Sequence, residues 1–204
     1  MTTMKTSVLG LDLATRHSGL CFIPHDWDGT FASLLTLSVE YDLPGAMDEL
    51  TKISRIVATA NEILRFIDVN EPEEIALENY AFSARSSSVT MQAEIGGIVK
   101  SQIYLALDRV PTVIPPASAR KTLTGGLRGK RKEDRANGVK PLEAKKQVKV
   151  FLENRGFPFD NEDVMDAFVV AYHQYVRFNG VSPEIAFLPL EESEVMRPYK
   201  PRKK

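Results

Sequence analysis

Hydrophobic positions along the chain repeat with two different periods, and the switches between them divide the sequence into strands and helices. Val8-Leu-Gly-Leu-Asp-Leu13 is an apolar run broken by one acid, which predicts a buried strand ending near Ala14. Turn residues from Thr15 to Ser18 lead into a second strand over Gly19 to Pro24, and a turn at Asp26 to Gly29 precedes a third over Ser33 to Tyr41. Such short connections predict an antiparallel meander. After Pro44-Gly45 the period changes. Met47, Leu50, Ile53, Ile56, Val57, Ala60, Ile63, Leu64 and Ile67 follow helical spacing, so an amphipathic helix is predicted. Pro72 ends that region, and Glu74 to Asn79 reads as a short strand with Ile75 and Leu77 on one face.

A serine-rich turn, Ser83 to Ser88, opens a second helix from about Val89 to Leu107. Gly96-Gly97 within it costs helix propensity and predicts close packing against another backbone. Pro111 to Ile114 is a fifth strand, and Pro115-Pro116 begins a short helix through Leu123. Thr124 to Pro141, rich in Gly, Lys and Arg, lacks hydrophobic periodicity and reads as a loop. Helices follow at Leu142 to Asn154 and at about Asn161 to Phe178, and beyond Asn179 the chain is weakly patterned. Three antiparallel strands extended by two parallel ones, with helices on the faces, make a mixed five-stranded α/β sheet. No internal repeat or domain boundary interrupts it.

Composition narrows the function classes. With 204 residues the chain suffices for one buried core. No apolar run approaches the ~20 residues of a membrane span, and the first residues lack the apolar segment of a signal peptide. The single cysteine, Cys21, excludes an intrachain disulfide and fits a reducing compartment, with a cytoplasmic location expected. Within the run Leu20 to Ile23 it reads as a small buried hydrophobe. The net charge of −1 hides a segregation. Arg120 to Lys149 holds 11 Lys/Arg against 3 Asp/Glu, and the last eight residues hold five basic residues and no acid. An acidic body with basic arms suggests a polyanion partner gripped by local patches.

Candidate chemistry lies in four acids. Asp12 shares a strand face with Val8 and Gly10, and an acid in a central apolar strand is costly to bury unless paired, protonated or bound to metal. Glu78 repeats the pattern at the end of the fourth strand. Asp163 and Asp166, three apart, project from one face of the last helix, in its first turn after Asp160-Asn161. Taken alone, Asp12 could as well cap the following turn, Glu78 reads more simply as a solvated strand end, and Asp163 and Asp166 as ordinary acids of a helix start. Together they can converge, because the first and fourth strands are the neighbours expected at the sheet centre and a helix packed across it can deliver the aspartate pair. Four such carboxylates repel unless a divalent cation neutralises them. Hard oxygen donors point to Mg²⁺ or Mn²⁺ rather than zinc, and His17, His25 and His173 form no metal spacing. Two such ions would serve phosphodiester cleavage.

The segments Val8-Leu-Gly-Leu-Asp-Leu-Ala-Thr-Arg-His-Ser-Gly-Leu-Cys-Phe-Ile23, Ile75-Ala-Leu-Glu-Asn-Tyr80 and Asp163-Val-Met-Asp-Ala-Phe168 resemble, in order and spacing, the RuvC family of Holliday-junction resolvases, over roughly residues 5 to 178. The resemblance implies an RNase H-like fold, a homodimer, and Mg²⁺- or Mn²⁺-dependent nicking of four-way DNA junctions, with no nucleotide cofactor. It places Asp12, Glu78, Asp163 and Asp166 on metal-binding positions and Lys145 or its neighbour Lys146 near the scissile phosphate. It makes residues 1–178 a nuclease domain with a basic loop at about 124–141, and 179–204 an extension with a basic tail. Tyr80 and Phe82 fall where the family engages unstacked bases. Arg85, Lys121, Arg128, Lys130, Arg131, Lys132, Arg135 and Lys140 are the candidate DNA contacts, giving salt-sensitive affinity without sequence information. The basic loop and the extension depart from the family pattern and would suit a divergent, phage-borne relative. Competing readings are an RNase H-like nuclease for flaps or RNA–DNA hybrids, a non-catalytic junction-binding protein, and an actin-like ATPase, for which the chain offers no second phosphate loop.

Overall fold

The computed structural model describes residues 5–14, 17–40, 48–79, 87–125 and 144–180, with the backbone alone for 87–91 and 144. Five strands, β1 (Val8–Leu13), β2 (His17–Ile23), β3 (Leu35–Glu40), β4 (Glu74–Glu78) and β5 (Thr112–Ile114), form one sheet in the order β3-β2-β1-β4-β5. β1 to β3 pair antiparallel, while β4 and β5 extend the sheet in parallel from β1. The described helices are α1 (Glu49–Asn70), α2 (Ser87–Leu107), α3 (Pro116–Thr124), α4 (Ala144–Glu153) and α5 (Glu162–Asn179). The mixed α/β architecture expected from the periodicity is therefore present. β2 begins two residues before the expected Gly19, because His17 and Ser18 pair with Glu40 and Val39 of the outer strand. No described helix is long and apolar enough to cross a membrane.

Strand alternation splits the core into two layers. Leu9, Leu11 and Leu13 face α1 and α2, where they join Ile56, Ile63, Ile95 and Val99. Val8 and Ala76 face the other way, into a cluster with α5 residues Ala167, Val170 and Ala171. Cys21 is buried there as a small hydrophobe, and burial pushes its thiol far above the ordinary range. Trp27 stands edge-on to Phe168, Tyr172 and Tyr175 of α5 and to Phe157, which pins the helix to the sheet.

The close approach of α5 depends on two strand glycines. A Cβ at Gly10 would lie 2.0 Å from the Ala167 carbonyl oxygen, and one at Gly19 would lie 2.1 Å from that of Asp163. The close approach expected at Gly96-Gly97 is different. Gly96 is buried, but no described atom lies within 4 Å of a Cβ built at Gly97, so among the described residues that glycine relieves no steric conflict. At its far end α5 is tied to the start of β1: Asn179 Oδ1 accepts from the Thr6 N–H at 2.6 Å and Asn179 Nδ2 donates to Thr6 O at 3.0 Å.

Candidate metal centre

β1 and β4 run parallel with Leu11 opposite Leu77, so the next residues of each, Asp12 and Glu78, emerge side by side. α5 crosses the same strand ends and supplies Asp166. Carboxylate oxygens of Asp12, Glu78 and Asp166 all lie within 4.8 Å of one another. At an effective dielectric of about 20, unit charges at that separation repel by about 3–4 kcal/mol per pair. Ionising all three acids together without a counter-charge is therefore strongly unfavourable.

Protonation equilibria record that cost. Burial, then the charges of Glu78, Asp166 and Asp163, push the Asp12 carboxyl well above the carboxylate range. Burial and the Asp166 charge push Glu78 up to about 7, against the opposing pull of Arg120 and Lys145. Asp163 is raised mainly by burial, while Lys145 and His17 favour its ionised form.

Asp163 and Asp166 do not play equivalent parts. Asn161 caps α5, accepting from the N–H groups of Asp163 and Val164 at 2.8 and 3.1 Å, so Asp163 sits in the first turn and Asp166 one turn further in. Asp163 is half-buried over Gly19 and outside the triad, whereas Asp166 is buried within it. The expectation that both aspartates occupy the first turn therefore fails for Asp166.

Two cations border the triad. Lys145 Nζ lies 2.9 Å from Asp166 Oδ2 and 3.3 Å from Glu162 Oε2. Burial alone would lower the Lys145 ammonium, but the hydrogen bond and charge of Asp166, with those of Glu162, outweigh it and hold the pKa above its ordinary value. Lys146, the next residue of α4, is exposed. Of the two lysines the sequence left as alternatives, Lys145 is the one with an ion pair to the triad, through Asp166. The signal was available, because Lys145 shares a helical stripe with buried Val148 and Leu152. The second cation is Arg120 of α3, whose Nη2 lies 3.9 Å from Glu78 Oε1 and 3.7 Å from Asp166 Oδ1. Sequence reasoning passed over it in favour of its neighbour Lys121, which is exposed on the same helix.

Asp166 Oδ1 is buried and finds no hydrogen-bond partner among the described residues. A buried carboxylate oxygen left in that state is costly, and a cation seated between the three acids would satisfy it. The donor set is all oxygen, which suits a hard divalent ion such as Mg²⁺ or Mn²⁺. The residues present fit such an ion, and Asp12, Glu78 and Asp166 are the ones that could hold it. His173 is engaged elsewhere, with its Nδ1 2.6 Å from Thr122 Oγ1. Of the expected DNA contacts, Tyr80, Phe82, Arg85, Arg128, Lys130, Arg131, Lys132, Arg135 and Lys140 lie outside the described residues.

No protein-family model matches the sequence, and no curated protein matches it. Among solved structures the chain is similar to Thermus thermophilus RuvC, with a TM-score of 0.60 at 19% identity over 85% of this chain and 96% of that one. It is also similar to T. thermophilus RuvC in complex with Holliday junction substrate, with a TM-score of 0.59 at 16% identity over 84% and 94%. Antiparallel β1–β3, the parallel β4 and β5, and the flanking helices together give this chain the RuvC fold.

Proposed function

We propose that the chain is a divalent-metal-dependent endonuclease that cuts four-way DNA junctions, acting as a homodimer. The observation that carries this reading is the convergence of Asp12, Glu78 and Asp166 at the strand ends, with the buried Asp166 Oδ1 accepting no hydrogen bond among the described residues. Hydrogen bonding usually satisfies buried carboxylate oxygens, so the one that lacks it here, together with the all-oxygen donor set, supports a cation among the three acids. The choice of substrate is supported by the fold shared with RuvC, whose complex holds a Holliday junction substrate.

In this account Asp12, Glu78 and Asp166 hold Mg²⁺ or Mn²⁺, and Asp163, beside them, completes the set. A divalent ion bound there supplies Lewis-acid activation of a water and charge stabilisation at the phosphate. The chain's own groups do the rest. Lys145, fixed by Asp166 and Glu162, presents an ammonium at the rim of the acids, where it offsets charge on the scissile phosphate. Lys146 and Lys121, exposed on α4 and α3, meet flanking phosphates, as do Arg128, Lys130, Arg131, Lys132, Arg135 and Lys140. Tyr80 and Phe82 follow the end of β4 in sequence and engage bases at the branch point, and Arg85 contacts the DNA beside them.

Asp12→Ala tests the assignment. It should abolish metal-dependent nicking of a four-way junction while leaving junction binding largely intact, and equal cleavage by variant and parent would end it. Comparing a four-way junction, a flap and an RNA–DNA hybrid with one preparation tests the substrate, because the junction should be cut in preference to the others.

A further inference from the structure

Asp166 is held between two cations that grip it differently. Lys145 makes a hydrogen bond to Oδ2 at 2.9 Å and is braced by Glu162 on its other side. Arg120 stands off at 3.7 Å from Oδ1 and 3.9 Å from Glu78 Oε1, beyond hydrogen-bond reach of either oxygen. Its side chain is 27% exposed, whereas those of Glu78 and Asp166 are 14% and 5% exposed. The guanidinium thus bridges two of the three acids that would bracket a metal, by charge alone and with access to solvent.

That arrangement has a cost once a divalent ion arrives. The ion and the guanidinium seek the same two carboxylates, and two cations sharing one small site of low solvent access repel. Arg120 gives up no hydrogen bond to those acids by moving, and its long flexible side chain can carry the charge outwards. A DNA phosphate at the rim offers it the bidentate geometry that the acids do not.

We propose that Arg120 is the resident counterion of the acid triad, competing with the divalent ion in the free protein and passing to a DNA phosphate when the substrate binds. Metal and junction then bind cooperatively, since each removes the obstacle to the other. The proposal rests on the metal reading above. It casts Arg120 as a positioning residue that sets when the site loads, and leaves Lys145 as the fixed cation.

The test is Mn²⁺ binding, followed by the electron-paramagnetic-resonance signal of free Mn²⁺, to the full chain stripped of metal. Four forms are compared: the parent, Arg120→Gln, Arg120→Lys and Asp12→Asn, each with and without a four-way junction blocked against cleavage by phosphorothioate linkages. Arg120→Gln should bind Mn²⁺ more tightly than the parent without DNA, by about fivefold or more. Arg120→Lys should restore weaker binding. The junction should tighten Mn²⁺ binding to the parent and do so much less for Arg120→Gln. A damaged fold weakens a metal site, so tighter binding has no trivial explanation. Unchanged or weaker binding by Arg120→Gln, with the parent's site intact, overturns the counterion role alone. A parent that binds no Mn²⁺, or binds it equally well after Asp12→Asn, overturns the metal reading and this inference with it.

Discussion

The backbones of Gly19 and Asp163 touch so closely that a Cβ on the glycine would sit 2.1 Å from the aspartate carbonyl oxygen. The missing side chain on β2 therefore sets how far the N-terminal end of α5 can descend onto the sheet, and with it the height of Asp166 above Asp12 and Glu78. Gly19→Ala should force that end of the helix away. Overpacking of this kind costs about 1–3 kcal/mol, so the urea midpoint should fall, and Mn²⁺ affinity should fall with it. A variant with both unchanged would show that the helix is held by other contacts.

The metal-free protein should respond to pH in a definite direction. Burial raises Glu78 from an ordinary carboxyl value to about 7, and Asp12 is raised in the same sense. Folded chains therefore bind more protons than unfolded ones between the ordinary carboxyl pKa and about pH 7. Stability present below that window is lost as pH rises through it. Thermal unfolding in EDTA should show a lower midpoint at pH 8 than at pH 5.5, and added Mn²⁺ should raise the midpoint more at pH 8, where fewer protons compete. An opposite pH trend in EDTA would mean that these carboxyls are not buried together.

Asp12→Asn should separate stability from activity. The buried carboxylate is unfavourable to the metal-free fold, because burial and three neighbouring acids all oppose its ionisation. Removing the charge should raise the EDTA unfolding midpoint by a few degrees, equivalent to about 1 kcal/mol, while abolishing cleavage. That is the expected signature of a site retained for function at the expense of stability. A lower midpoint in EDTA would indicate a structural role.

Much of this was legible in the chain because strand alternation is so regular. The apolar run from Val8 to Leu13 is matched to the residue by β1, and its alternation placed Asp12 with Gly10 on the face that α5 covers. Glu78 follows from the same rule, because β1 and β4 are central neighbours. The helix-borne acids were harder. Spacing of three puts Asp163 and Asp166 on one face, but only packing onto Gly19 decides which of them turns inwards. Arg120 was not legible at all. It follows Ala119 on a short helix with mixed polarity, and only the docking of that helix against α5 brings its guanidinium to Glu78 and Asp166. Gly96-Gly97 misled in part, since composition marks a tolerated glycine and a required one alike.

Junction affinity should carry a steep salt dependence. Each phosphate neutralised contributes about 0.9 to the slope of log K against log salt on duplex DNA. Replacing Arg128, Lys130, Arg131 and Lys132 together with Gln should flatten that slope by roughly 2 to 4, with little change in the affinity for Mn²⁺ measured without DNA. An unaltered slope would remove this basic run from the interface.

Diffraction from Mn²⁺-soaked crystals, recorded at the manganese edge, reaches the core of the account in one experiment. An anomalous peak bonded to oxygens of Asp12, Glu78 and Asp166 is the result expected. A map with manganese elsewhere on the molecule and none among those three carboxylates would contradict it.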